Sequence, residues 1–301
     1  MSVIEVKNTD HFFTKGFSHK TCEDFAYSGS FEIKGEQVHY AVLSDGCSSS
    51  KNTDIGSRIL CMSFVNCLYD LLKSLHVNEI DLFDKHCEWH LRDLINSKSI
   101  EIVRGLRLNS ECLDATLLAV FDYNNISHII VFGDGIVIMQ DFHNLGLDVR
   151  NYIYESGAPF YLTYFLDSDR LDCYKNQFGS YSLKEELTNC INEDENKFEY
   201  IRSSEYPSMR SPTTSIRYDH RNREIQIILT SDGMLTFQNE EVISFEEITK
   251  DLVSYKNFQG QFVSRRMNAL LKKYSKQSID HFDDISCVSF VSTLKEIEDE
   301  D

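Results

Sequence analysis

An acid–glycine pair closes three apolar runs in this chain, and that recurrence limits what the chain can fold into. Between His39 and Leu60, Val42-Leu43 passes into Ser44-Asp45-Gly46, then a polar loop, then a helical pattern. Asp45 therefore falls at the C-terminal end of a strand. Gly46 lets the backbone turn there and leaves its carbonyl free to act as a ligand. The pattern repeats at Ile129–Phe132, which ends in Gly133-Asp134-Gly135, and at Ile225–Leu229, which ends in Thr230-Ser231-Asp232-Gly233. A further acid pair, Asp283-Asp284, precedes the short strand pattern Ile285–Val291. One such turn is no more than a tight turn. Four acids placed alike predict a site.

The rest of the chain predicts alternating blocks of strands and helices. Ser2–Val6 and Phe25–Ile33 read as strands around the polar loop from Gly16 to Phe25, and Val38–Leu43 joins the second through a turn at Gly35. Asp54 is the expected N-cap of a helix over Ile55–Leu72, with apolar residues at helical spacing from Ile55 and Ile59 onward. A second helix is expected from about Leu82 to Leu106, broken near Asn96-Ser97. Strands follow at Ala115–Phe121, Ser127–Phe132 and Ile136–Gln140, with Tyr123-Asn124-Asn125 and Gly133-Asp134-Gly135 as turns. The stretch 141–224 is the least regular. It suggests a helix near Leu183–Asn192, a loop over Ser203–Thr214, and an insertion or flap across 141–214. Strands near Ser215–Tyr218 and Ile225–Thr230, helices over Ser244–Ser254 and Phe262–Tyr274, and the strand Ile285–Val291 complete a single domain over 1–294. The acidic tail Lys295–Asp301 reads as a solvated, disordered end. This segregated order predicts an α+β sandwich of two antiparallel sheets covered by helix pairs.

Charge narrows the function. Thirty Lys and Arg against 48 Asp and Glu give a net charge of −18, which lacks the basic footprint that nucleic-acid binding needs. The nine cysteines are scattered without a Cys-x-x-Cys pair, the usage of free thiols in a reducing compartment. The N-terminus has no basic segment followed by an apolar one, and no run of 18 uninterrupted apolar residues occurs. The expectation is a cytoplasmic protein without a membrane span.

Aspartate, glutamate and a glycine carbonyl are hard oxygen ligands, suited to Mg²⁺, Mn²⁺ or Ca²⁺ rather than zinc. Carboxylates gathered at one sheet edge repel one another unless cations lie between them. A pair of such ions lowers the pKa of a water and clamps a phosphoryl oxygen, the basis of two-metal hydrolysis.

Five segments in order resemble the metal-dependent Ser/Thr phosphatases of the protein phosphatase 2C family, in a divergent bacterial or phage-like form. They are Cys22-Glu23-Asp24-Phe25, Ser44-Asp45-Gly46-Cys47, Phe132-Gly133-Asp134-Gly135, Ser231-Asp232-Gly233 and Asp283-Asp284-Ile285-Ser286. Ala115-Thr116-Leu117 falls where the family has a short Thr-containing strand. The resemblance implies a four-layer α-β-β-α sandwich with a centre of two or three Mn²⁺ or Mg²⁺ ions. On that pattern Asp45 bridges two metals, and the Gly46 carbonyl, Asp232 and Asp283 complete one site. Glu23 holds the other through water with Asp24 in support, and Asp134 shares a weaker third site with Asp232. A metal-activated water attacks phosphoserine or phosphothreonine in line. Asp45, Asp232, Asp283 and His19 are then the expected catalytic residues. A phosphorylated protein is the expected substrate, and a cognate Ser/Thr kinase or its targets the expected partners. Two positions depart from the family. The phosphate-binding Arg four residues before the acidic motif is His19, followed by Lys20, and neither provides Arg's two-pronged fork. The residue after Asp45-Gly46, a His acid in some members, is Cys47, which leaves the leaving-group acid unassigned or replaced by a metal-bound water.

Blander readings compete at several positions. Gly133-Asp134-Gly135 also suits a plain hairpin turn. Asp284 reads as a supporting or surface residue, with Asp283 the better ligand. No Cys is followed by Arg six positions later, so Cys22 and Cys47 read as small spacers rather than phosphatase nucleophiles. His86 and His90 stand four apart on a helix, but Glu88 is misplaced for a His-Glu-x-x-His zinc motif, and a solvated face is the better reading. Arg58 and Thr116 read as packing or capping residues. The alternative to an active phosphatase is a catalytically weak relative that binds phosphoproteins through the same face.

Overall fold

A computed structural model describes residues 2–75, 85–143, 146–154, 156–179, 183–194, 197–209, 213–221, 223–239 and 243–297. Its strands form two antiparallel sheets. One has five strands, in the order β10 (Thr213–Asp219), β5 (Ile126–Phe132), β4 (Leu117–Tyr123), β3 (Glu36–Ser44) and β2 (Phe25–Ile33). The other has seven: β1 (Ser2–Thr14), β14 (Ile285–Ile297), β11 (Ile225–Thr230), β6 (Gly135–Asp141), β7 (Gly146–Tyr154), β8 (Leu183–Asp194) and β9 (Lys197–Met209). A small ribbon pairs β12 (Phe237–Gln238) with β13 (Asp280–His281).

The alternation of side chains along each strand sorts the core into three layers. Leu118 and Val120 of β4 turn inward with Ile129 and Val131 of β5, against Val137, Ile227, Leu229, Val288 and Phe290 of the other sheet. Their neighbours Leu117, Ala119 and Phe121 face outward onto helices α1 (Thr53–Ser74) and α2 (Lys85–Gly105). On the far side Ile136, Ile138, Ile228, Ile285 and Cys287 pack on α4 (Phe245–Val253) and α5 (Phe262–Ser275). A shorter helix, α3 (Ser168–Phe178), starts from Asp167, whose side chain accepts from the Arg170 N–H at 3.0 Å. The expected α-β-β-α layering is present.

Several local expectations are corrected. The first strand runs to Thr14 rather than Val6, because each residue from Ser2 to Thr14 pairs with β14. Within it Asp10, 7% exposed, caps α5 from outside that helix: its Oδ2 accepts from the N–H groups of Val263 (2.6 Å) and Ser264 (3.1 Å). Helix α1 begins at Thr53 after Asn52 in a left-handed conformation, so Asp54 lies in the first turn instead of capping it. α1 is long and apolar enough in composition to cross a bilayer, although it lacks an uninterrupted apolar run; 61% of that stretch is buried inside the fold. α2 continues unbroken through Asn96, whose buried amide donates to the Leu162 carbonyl at 3.0 Å. The expected start near Leu82 falls within 76–84, which lie outside the described residues.

The expected helix near Leu183–Asn192 is β8, paired with β7 throughout. The expected loop over Ser203–Thr214 holds most of β9 and the start of β10. Lys295–Ile297 of the expected tail belong to β14, and 298–301 lie outside the described residues. Gly133-Asp134-Gly135 is not a hairpin turn, because β5 and β6 belong to different sheets. The chain crosses between sheets there, with φ of 104° at Gly133 and 136° at Gly135.

Candidate metal centre

Strands β3, β5 and β11 end, and β2, β4, β6 and β14 begin, at one edge of the sandwich. Every acid singled out from the sequence lies at that edge. Asp45 follows β3 and is fixed by its neighbour across the sheet. Its N–H donates to Thr116 Oγ1 (3.1 Å), and the Thr116 N–H donates to the Asp45 carbonyl (2.8 Å). Ser44 Oγ reinforces the pair by donating to the Thr116 carbonyl at 2.6 Å. Thr116 is thus a backbone clamp for Asp45-Gly46. A Cβ on Gly133 would come within 2.8 Å of the Thr116 side chain, so Asp134 is held against the same clamp.

Asp232 opens a single 3₁₀ turn, Asp232–Leu235, after β11. A Cβ on Gly233 would lie 1.8 Å from the Asp284 carbonyl, so only glycine permits this approach of the two acid-bearing loops. Ser231 accepts the Ser286 N–H (2.9 Å) and donates to Asp24 Oδ2 (2.8 Å), tying β11, β14 and the Glu23-Asp24 loop together. Asp284 is not a surface residue. It is 2% exposed, and its two oxygens accept from the N–H groups of Gly16 (2.6 Å) and Glu23 (2.5 Å). Asp283 beside it keeps 43% of its side chain exposed.

His19, Asp45, Gly46, Asp134, Asp232 and Asp283 line one cavity of about 150 Å³. Asp24 is buried behind Asp45, within hydrogen-bonding range of it. Glu23 joins from the side, 3.8 Å from His19 Nδ1. His19 presents Nε2 to Asp283 (3.2 Å) and Nδ1 to Asp284 (3.0 Å). Both ring nitrogens therefore face carboxylates. A larger cavity of about 690 Å³ lies elsewhere, between α2 and the start of α3, and holds none of these acids.

The electrostatics of the cluster are unusual. Burial, only partly offset by the Ser286 side chain nearby and the hydrogen bond from Ser231, pushes Asp24 up to about 7. Burial and then the Asp232 charge push Asp134 up to about 8. Asp45 is driven well above the usual carboxylate range by burial and by Asp24 and Asp232. Burial raises Glu23 and Asp283 as well. His19 moves up despite its burial, because Asp284, Asp283 and Glu23 favour its charged form. The cluster is a set of anions short of positive charge.

The donor set fits a hard divalent cation. Glu23 Oε2 and Asp24 Oδ1 are buried with no hydrogen-bond partner, as oxygens kept for an ion are. One ligand atom each of His19, Glu23 and Asp284 lies within 4.8 Å of the others. Apart from the His19 nitrogen the donors are oxygens, the preference of Mg²⁺ and Mn²⁺.

The cavity wall takes in further residues. Cys47, Ser48, Pro159 and Tyr161 complete the cavity wall. Pro159 and Tyr161 come from the stretch expected to be a flap. Arg58 packs its guanidinium over Phe25 (4.6 Å to the ring centre), as a packing residue should. His90 is exposed on α2, without a metal-binding arrangement among the described residues around it. The eight described cysteines are free, and burial lifts the Cys22 thiol to about 12, far from a nucleophile's range.

Sequence comparison with curated proteins gives no match. Among solved structures, a point variant of a bacterial serine phosphatase aligns over 97% of this chain and 100% of its own, at 12% identity and a TM-score of 0.50. The Ser/Thr phosphatase Stp1 of Staphylococcus aureus aligns over 98% and 96%, at 14% identity and a TM-score of 0.47. The catalytic domain of the Ser/Thr protein phosphatase PstP, in complex with two manganese ions, aligns over 96% and 100%, at 13% and 0.47. At such identity the first of these speaks for the fold. A family model described as Protein phosphatase 2C matches residues 18–281, which take in every acid of the cluster except the Asp283-Asp284 pair. With that match over most of its length, the chain belongs to the protein phosphatase 2C family.

Proposed function

We propose that the chain hydrolyses phosphoserine and phosphothreonine in proteins with the help of Mn²⁺ or Mg²⁺. The observation that carries this reading is the convergence of Asp45, Asp134, Asp232 and Asp283 on one small cavity with too little positive charge to balance them. Bound divalent ions would supply the charge that lets these acids ionise together, and the Lewis acidity that activates water toward phosphorus. Asp45, the Gly46 carbonyl, Asp232 and Asp283 would hold one ion. Asp45 with Glu23, backed by Asp24, would hold a second, and Asp134 with Asp232 a third.

Thr116 keeps Asp45 and Gly46 at the cavity, while Asp284 anchors the loop that carries Glu23. Pro159 and Tyr161, from the expected insertion or flap, contribute part of the cavity wall. The reading takes 1–294 as one catalytic unit. Its place of work is a reducing compartment such as the cytoplasm, an expectation resting on cysteine usage. The substrate is a phosphoprotein, with a cognate Ser/Thr kinase supplying it.

Turnover of p-nitrophenyl phosphate and of a phosphothreonine peptide, in EDTA and then with Mg²⁺ or Mn²⁺, tests this reading beside Asp232→Asn. Metal-dependent turnover that collapses in the variant is expected. A second reading, a phosphoprotein-binding relative without turnover, is favoured by one feature: His19 stands in place of Arg with its nitrogens engaged by Asp283 and Asp284. Metal binding by calorimetry without hydrolysis of either substrate would select it.

A further inference from the structure

The cavity has a proton-holding wall that the family pattern does not supply. Cys47 follows Asp45-Gly46, where some relatives carry a His acid, and Tyr161 comes from a segment far along the chain to meet it. The Tyr161 hydroxyl lies beside the Cys47 side chain and feels the charges of Asp134 and Asp45. The residue is 8% exposed and lines the cavity.

Its position is fixed from both sides. The preceding residue, Phe160, is buried among Tyr164, Phe165 and Tyr174, with ring centres 5.1–5.2 Å away and planes at 69–89°. Tyr161 packs on Tyr164 at 5.6 Å. The Arg170 guanidinium lies 4.7 Å from the centre of the Tyr164 ring and pairs with Asp114 Oδ1 at 2.5 Å. Asp114 completes the connection: Oδ2 accepts from Ser50 Oγ (2.9 Å), and its carbonyl accepts the Cys47 N–H (2.8 Å). One carboxylate thus ties the loop of Tyr161 to the loop of Cys47.

Among the other lining groups, the Thr116 hydroxyl is committed to the Asp45 N–H, which it accepts at 3.1 Å. His19 has a carboxylate at each ring nitrogen. Cys47 Sγ faces Ser49 Oγ at 3.0 Å, and Ser48 is exposed. The phenol of Tyr161 carries one O–H donor at the cavity wall.

Resting on the phosphatase reading, we propose that Tyr161 is a catalytic residue whose hydroxyl donates a hydrogen bond to the seryl or threonyl oxygen that leaves phosphorus. Water forms the new bond to phosphorus, and the phosphorus–Oγ bond breaks with its electron pair passing to Oγ. Oγ takes a proton from solvent, the attacking water gives one up, and Tyr161 keeps its own. Such a donor matters in proportion to the negative charge that builds on the leaving oxygen. An alkoxide builds much charge and p-nitrophenolate little.

The test compares wild type with Tyr161→Phe, which keeps the ring and its packing, on a phosphothreonine peptide and on p-nitrophenyl phosphate with saturating Mn²⁺. The expected result is a fall in kcat of about 10²-fold on the peptide, the size seen when one such donor is lost. The fall on p-nitrophenyl phosphate should be far smaller, with KM little changed. A series of aryl phosphates should show a steeper dependence on leaving-group pKa in the variant. An equal loss on both substrates, a loss confined to KM, or no loss would overturn the assignment while leaving the phosphatase reading in place. Absence of turnover by wild type would overturn both.

Discussion

The two ends of the sandwich bury carboxylates in opposite ways. At the end away from the cavity, Asp122 is wholly buried with its charge answered: Lys7 Nζ donates to Oδ2 (2.6 Å), Ser127 Oγ donates to Oδ1 (3.2 Å), and His220 Nε2 lies 2.5 Å from Oδ1. Burial alone would raise its pKa, yet the His220 hydrogen bond and the Lys7 charge hold the carboxyl below its usual value. At the cavity end Asp24 is as fully buried and Asp45 and Asp134 are half-buried, and the same physics drives all three upward because their neighbours are chiefly other acids. The more deeply buried acid keeps the lower pKa, so what separates the ends is the supply of positive charge. One end has its counter-charge within the chain, and the other leaves its acids without one.

The largest expected effect comes from removing an acid at the incomplete end. Asp45→Asn should lower kcat/KM by about 10³-fold or more in a Mn²⁺-supported phosphatase assay, the scale of losing a main electrostatic stabiliser of the transition state. The same change should not lower the melting temperature in EDTA, since it relieves repulsion. A variant that stays active, or unfolds, would erase the contrast between the ends.

Removing the acid at the complete end should do the reverse. Asp122→Asn removes the buried carboxylate between Lys7 and His220, leaves Lys7 with Asn125 (2.6 Å) and the more distant Glu5 (3.7 Å), and should cost about 3–5 kcal/mol in urea unfolding, with kcat roughly unchanged. A stability loss below about 1 kcal/mol would mean that the network is loosely held.

The smallest effect is a slope with pH. Asp24 and Asp134 are raised in the folded state, so the stability they contribute is present below the ordinary carboxylate pKa and is lost as pH rises through about 7 and about 8. In EDTA the melting temperature should therefore fall between about pH 5 and pH 8.5, by about 2–4 °C for each kcal/mol lost. Saturating Mn²⁺ should flatten or invert that slope, because binding requires the ionised acids. A pH-independent melting temperature in EDTA would argue that the cluster is solvated rather than buried.

These contrasts were unequally visible in the sequence. Asp45, Asp134 and Asp232 announce themselves because each follows an apolar run and touches glycine, and a strand end is a local feature. Asp122 and His220 carry no such mark, since their meaning comes from Lys7, more than a hundred residues away from either. Tyr161 was hidden for the same reason: its segment reads as an aromatic run until Asp114 and Arg170 attach it to the Cys47 loop. Leu183–Asn192 misled because Leu183, Leu187 and Ile191 recur at helical spacing, whereas pairing with β7 makes the segment a strand. The polar residues after Val6 also conceal a strand, which the β14 partner imposes and the capping role of Asp10 exploits.

The cavity end is most directly tested by calorimetric titration of Mn²⁺ into the metal-free protein near neutral pH, in two buffers of different ionisation heat. The comparison predicts binding accompanied by net release of protons from Asp24, Asp45 and Asp134, and less release in Asp45→Asn. Binding without proton release, or no binding at all, would contradict it.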